Sequence, residues 1–257
     1  MSEVGPAGAQ SLGPGVWLLS SAFKFLSCFE IGLNGLVMRV ASADGRPVLV
    51  LVNPPKLTQV VVNALREIEA AAHASVEIIL QPGDWHHFQL PAAQAIFPRA
   101  KCYVASERNL RKQPTLVAEV LDRFVPLIDE LSEELSILPW LGYTQDSMPW
   151  ILSGERRGAP RIEFVVFHRP SGTLFITDHF FPPKKGSPLA PNTGGFKLVD
   201  AEAARRCVAG VTSLGVTRVV FSHGKRDACV LDEADTAARL EEAHNRLLAA
   251  HGVTDPA

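Results

Sequence analysis

Val76 to Leu80 reads V-E-I-I-L, a run of aliphatic and β-branched residues that breaks at Pro82-Gly83 and gives way to Asp84, Trp85, His86 and His87. Two later runs end in the same chemical way. T-L-F-I-T leads into Asp178-His179, and R-V-V-F leads into Ser222-His223-Gly224. Apolar runs of this length read as buried strands. In layered α/β structures, the loops beyond the carboxyl ends of strands are where distant side chains converge on a ligand. The repetition therefore constrains both the fold and the chemistry: a sheet-based core, with Asp84, His86, His87, Asp178 and His223 gathered along one rim. Imidazole and carboxylate together suit zinc, iron or manganese.

The segments around these runs support a layered arrangement. Val16–Ser20, Gly35–Ala41 and Val48–Val52 read as strands, with Asp44-Gly45 marking the turn before the third. Val61, Leu65, Ile68 and Ala72 recur at helical spacing within Thr58–Ala72, and Pro91 suits the first turn of a short helix reaching Phe97. Lys101–Ala105 reads as a strand, and Leu116 to Leu131 carries an amphipathic stripe that predicts a helix kinked at Pro126. Leu138–Leu152 is rich in proline, tryptophan and glycine and is expected to hold two short strands; Gly154–Pro160 reads as a turn. Ile162–Phe167 and Thr173–Thr177 are strands joined through Pro170-Ser171-Gly172. Phe181 to Phe196 is a long Pro/Gly/Lys loop of the kind that covers a site. Ala201–Leu214 reads as a helix, Thr217–Phe221 as a strand, and Asp232–His251 as a closing helix with Asp232 as its N-cap. Residues 1–14, small and Gly/Pro-rich, read as a flexible segment, and 15–257 as one α/β domain.

Composition narrows the function classes. With 47% hydrophobic and 20% charged residues in 257, the chain has material for a substantial core. A net charge of −2 provides no general attraction for nucleic acid. Cys28, Cys102, Cys207 and Cys229 lie far apart with no C-x-x-C pair, so reduced thiols are expected. Lys24, Glu30 and Asn34 interrupt the apolar stretch Val16–Met38, which predicts no membrane span. The first residues lack the basic and apolar regions of a secretory signal. The expectation is a soluble intracellular protein, in the cytoplasm, with organelle import left open. His73, His168, His244 and His251 read as surface or core histidines.

In order and spacing, these motifs resemble the metallo-β-lactamase-fold superfamily over roughly residues 16–250. Its core motif is H-x-H-x-D-H after a buried strand, followed by a later histidine, an aspartate closing a strand, and a last histidine. Here the motif reads P-x-D-x-H-H over Pro82–His87; T-L-F-I-T-Asp178 and V-V-F-S-His223 match the later elements. His86-His87-Phe88-Gln89-Leu90 and Phe97-Pro98-Arg99-Ala100 place the chain with a branch carrying a degenerate metal motif. The resemblance implies a four-layer αββα sandwich of mixed sheets with outer helices, and a metal-dependent hydrolase. Pro82 and Asp84 stand in place of the two leading histidines, and the position of the intermediate histidine falls near Ala159, so the resemblance implies at most one divalent metal, zinc or iron, rather than two. Its implied ligands are His86, His87, Asp178 and His223, with Asp84 placed to act as general base. Trp85 and the 181–196 loop would then form a wall and lid for a small-molecule substrate, with Lys184 and Lys185 drawing in an anionic one. The alternative is a non-catalytic member that binds a ligand or partner after losing the dinuclear site. An iron-based redox use of the same fold ranks below both.

Overall fold

The computed structural model describes residues 7–25, 29–122, 128–144, 162–183, 189–191, 197–232 and 234–250. In chain order the strands are β1 (Ala9–Gly13), β2 (Val16–Phe25), β3 (Phe29–Ala41), β4 (Pro47–Val52), β5 (Val76–Gln81), β6 (Lys101–Val104), β7 (Glu119–Val120), β8 (Leu135–Pro139), β9 (Tyr143–Thr144), β10 (Phe164–His168), β11 (Thr173–Ile176), β12 (Phe180–Phe181), β13 (Ala190–Pro191), β14 (Lys197–Leu198), β15 (Arg218–Phe221) and β16 (Val230–Leu231). The helices are α1 (Gln59–Ala72), α2 (Leu90–Ile96), α3 (Glu107–Lys112), α4 (Ala201–Thr212) and α5 (Thr236–Ala250).

A seven-stranded sheet runs in the order β1 to β7, antiparallel through β4 and parallel from β4 to β7. The switch follows from the connections. Asp44-Gly45, with Gly45 at φ +84, lets β3 turn straight back into β4, whereas α1 carries the chain across a face so that β5 re-enters beside β4 in the same direction. Thr58 caps α1 by accepting from the Val61 amide (3.5 Å), and His73 ends it in a left-handed conformation. The second sheet, β16-β15-β11-β10-β8, is antiparallel except for β11 beside β15.

Alternation along the strands builds three apolar layers. Val48, Val50 and Val52 face Phe164, Val166, Phe175 and Val220 of the second sheet. Their neighbours Leu49 and Leu51 pack outward against Val61, Leu65 and Ile68 of α1. Across the molecule, Val219 and Phe221 pack against Val208 of α4 and Leu240 and Leu247 of α5. The result is helix, sheet, sheet, helix: the four-layer arrangement expected. No helix among the described residues is long and apolar enough to cross a membrane.

Three expectations are corrected. Residues Ala9–Gly13, read as flexible, form β1 on the edge of the first sheet, with Ala9 and Leu12 buried. Among the described residues of Leu116–Leu131 the expected helix is absent: Glu119 and Val120 pair with β6, and the Leu121 amide donates to the Val104 carbonyl. Leu116, Leu121 and Ile128 are buried as the stripe requires, but Val117 and Val120 are exposed; the free edge of β6 satisfies this backbone without a helix. Asp232 does not cap α5, which starts at Thr236; its carboxylate pairs with Arg218 at 2.7 Å. Cys28, Pro126, Gly154–Pro160, Ala159, Lys184, Lys185 and His251 lie outside the described residues.

Candidate metal centre

The exits of β5, β11 and β15 meet at one point. His86 Nε2 and His223 Nε2 lie 3.1 and 3.0 Å from the same oxygen, Asp178 Oδ1, and 3.1 Å from each other. The two imidazoles meet edge to face, with centroids 4.7 Å apart. Asn34 helps to close the ring of strands. Its amide donates to the carbonyls of Phe221 and Gly224, and its backbone N–H to Ser222. Ser222 Oγ donates in turn to the Thr177 carbonyl, one residue before Asp178.

Asn53 determines which nitrogen of His86 faces the centre. This buried residue sits just past β4 at φ +49, a conformation asparagine tolerates better than most side chains. Its Nδ2 donates to the Asn34 carbonyl (2.6 Å), so its Oδ1 is the acceptor, taking a bond from Gln81 Nε2 (3.1 Å). His86 Nδ1, 2.9 Å from that oxygen, must therefore carry the proton. In the neutral ring, Nε2 then presents a lone pair to an anionic carboxylate oxygen and to a second imidazole.

A cation would satisfy these converging groups together, and the spacing fits one. A divalent ion about 2.1 Å from each donor separates neighbouring ligands by about 3.0 Å at right angles and about 3.4 Å at tetrahedral angles. The observed edges of 3.0–3.1 Å match two imidazoles and one carboxylate on one face of an ion.

The other two expected site residues are placed differently. His87 stands outside the group of His86, Asp178 and His223. It opens a 3-10 turn directly after His86, whose own backbone is not helical. Its ring packs on Phe88, Nδ1 lies 3.4 Å from the Asp84 carbonyl, and burial, aided by Arg108 and Lys112, pushes its pKa down to about 4. Asp84, expected as general base, is a buried tie: Ser106 Oγ donates to Oδ1 and the Ile162 amide to Oδ2 (3.0 Å). The Asp84 carbonyl accepts from Arg108 Nη1 and Asn109 Nδ2, which anchors the turn to α3.

No family model and no curated protein matches the sequence. Solved structures do. TMB-1 aligns over 93% of this chain and 97% of its own at TM-score 0.61 and 13% identity. The DIM-1 metallo-β-lactamase exposed to ceftazidime aligns over 95% and 99%, at 0.60 and 12%. FIM-1 from Pseudomonas aeruginosa, in a mono-zinc form, aligns over 94% and 96%, at 0.57 and 14%. The chain adopts the metallo-β-lactamase fold.

Within this fold, the positions of the leading histidines are used for structure. Pro82 accepts the Phe164 amide through its carbonyl, and Asp84 ties the turn as described. Between them, Gly83 bridges to Glu163, a carboxylate 1% exposed that accepts from Thr177 Oγ1. A Cβ at Gly83 would stand 2.4 Å from Glu163 Oε2, so only glycine fits without displacement. Sequence reasoning passed over Asn34, Asn53 and Glu163. The one available signal was a polar residue, Asn53, directly after an apolar strand, in the same kind of position as Asp178.

Proposed function

We propose that the protein is a metal-dependent hydrolase of small molecules that holds one divalent metal, zinc or iron, on His86, Asp178 and His223. The observation that supports this reading most is the Asn53–His86 hydrogen bond, which turns the His86 Nε2 lone pair toward Asp178 and His223. A structural neighbour in a mono-zinc form supports a single ion. A divalent metal at this position supplies a water of pKa about 7 and polarises a carbonyl or phosphoryl oxygen.

The chain's own groups do the rest. Asn53 fixes the tautomer and direction of His86, and Asp178 contributes the negative charge. Asp84 and His87 hold the turn that carries His86, so neither is assigned a catalytic or ligating role. Trp85, backed by the Arg108 guanidinium 4.1 Å from its ring centre, and Phe88, 59% exposed, provide an apolar rim.

Elemental analysis of reconstituted protein tests the ligand set. The wild type should carry about one ion per chain, His86→Ala and His223→Ala none, and His87→Ala the wild-type amount. Absence of metal from the reconstituted wild type overturns the reading, and loss from His87→Ala overturns the three-ligand set. Lactones, thioesters and phosphodiesters are the substrate classes to screen.

A further inference from the structure

An open cavity of about 420 Å³ adjoins the candidate metal centre on the side of His223. Its walls come from the β2–β3 hairpin, the start of α1, and the turn Gly224–Arg226 that follows His223. The wall nearest the metal centre is built by close backbone approach: a Cβ at Gly32 would lie 1.9 Å from the Gly224 carbonyl oxygen. Cavity and metal centre therefore share one turn.

The hydrogen-bond accounting of this cavity is one-sided. Ser21 Oγ accepts from the Lys56 amide, and Thr58 Oγ1 accepts from the Val61 amide, which leaves both hydroxyl protons to donate. Lys225 is exposed and forms no ion pair among the described residues. Arg226 donates Nη2 to the Gly8 carbonyl, while its buried Nε has no partner among the described residues. Among the described residues, no carboxylate lines the cavity. Two cations and two hydroxyl donors, with no acidic counterpart among the described residues, complement an acceptor-only, negatively charged group.

We propose that this cavity is an oxyanion subsite. It takes a carboxylate or phosphoryl group of the substrate, with Lys225 as the principal specificity determinant, while the bond to be cleaved reaches across Gly224 to the metal centre. The word substrate rests on the hydrolase reading above; the anion site itself rests only on these residues.

Inorganic phosphate and acetate serve as probes. Each is titrated at constant ionic strength into 15N-labelled protein, once reconstituted with metal and once stripped by chelator, following the amides of Gly32, Thr58 and Gly224. Saturable shifts in both forms are expected, with Lys225→Met weakening binding at least fivefold and Lys101→Met, at the far end of the sheet, leaving it unchanged. Tighter phosphate binding assigns a phosphoryl group, tighter acetate binding a carboxylate. Non-saturating shifts, or equal affinity in Lys225→Met, overturn the proposal. Binding that requires metal and ignores Lys225→Met places the anion on the metal, so the subsite falls while the metal reading stands. Binding that persists in a protein unable to hold metal leaves the subsite standing and removes the hydrolase.

Discussion

His244 offers a direct test of how dry the outer core is. It lies on α5, 1% exposed, against Trp140 and Tyr143 at centroid distances of 5.8 and 6.5 Å, and neither ring nitrogen has a hydrogen-bond partner among the described residues. Burial, reinforced by Arg205, pushes its pKa from 6.5 down to about 4. The sign follows from linkage. Between those two values the unfolded chain binds a proton that the folded chain does not, so stability is full above pH 6.5 and is lost as pH falls toward 4. Replacing His244 by leucine, of similar volume, removes this dependence and strands no partner. Subtracting variant from wild type cancels every other titrating group, including the histidines of the candidate metal centre. From the two pKa values, the wild type should lose about 2 kcal/mol relative to His244→Leu between pH 8 and pH 5, and about 3 kcal/mol by pH 4. Urea denaturation of both proteins at pH 8, 6.5, 5 and 4 reads this difference directly. A difference that stays flat across the series would mean that the imidazole is solvated or charged in the folded state, and the packing argument for this layer would fail.

Other perturbations probe the candidate centre and its supports. Asn53→Ala should weaken metal binding by about 10- to 100-fold in a competition titration, because His86 loses the acceptor that fixes its tautomer; unchanged affinity would refute that role. Asp84→Ala should destabilise the protein by about 1–3 kcal/mol in urea, since the buried Ser106 hydroxyl and Ile162 amide lose their acceptor, while metal stoichiometry is retained. Gly83→Ala should cost about 1–3 kcal/mol by thermal denaturation through its collision with the Glu163 carboxylate, and Gly83→Ala combined with Glu163→Ala should recover part of that loss.

Much of the architecture was legible because it is encoded between near neighbours. The aliphatic run of Val76–Leu80, the helical spacing of Val61, Leu65 and Ile68, and the Asp44-Gly45 turn all act within a few residues of chain, and each appears where periodicity and turn chemistry place it. His86, Asp178 and His223 could be singled out because all three follow apolar strands. What neighbours do not encode, the chain alone left open. The stripe from Leu116 to Leu131 has helical spacing, but the edge of β6 offered its backbone a partner that only the assembled sheet provides. His86 and His87 are alike in sequence, and only their partners separate them: Asn53 and His223 for the first, Phe88 and the Asp84 carbonyl for the second. Asp84 reads as a base until Ser106 and Ile162, distant in the chain, close on its carboxylate. Strand exits and turns follow from local sterics and hydrophobic period, whereas the direction and ionisation of a side chain at those exits depend on donors and acceptors contributed by other layers, which exist together only once the two sheets have packed.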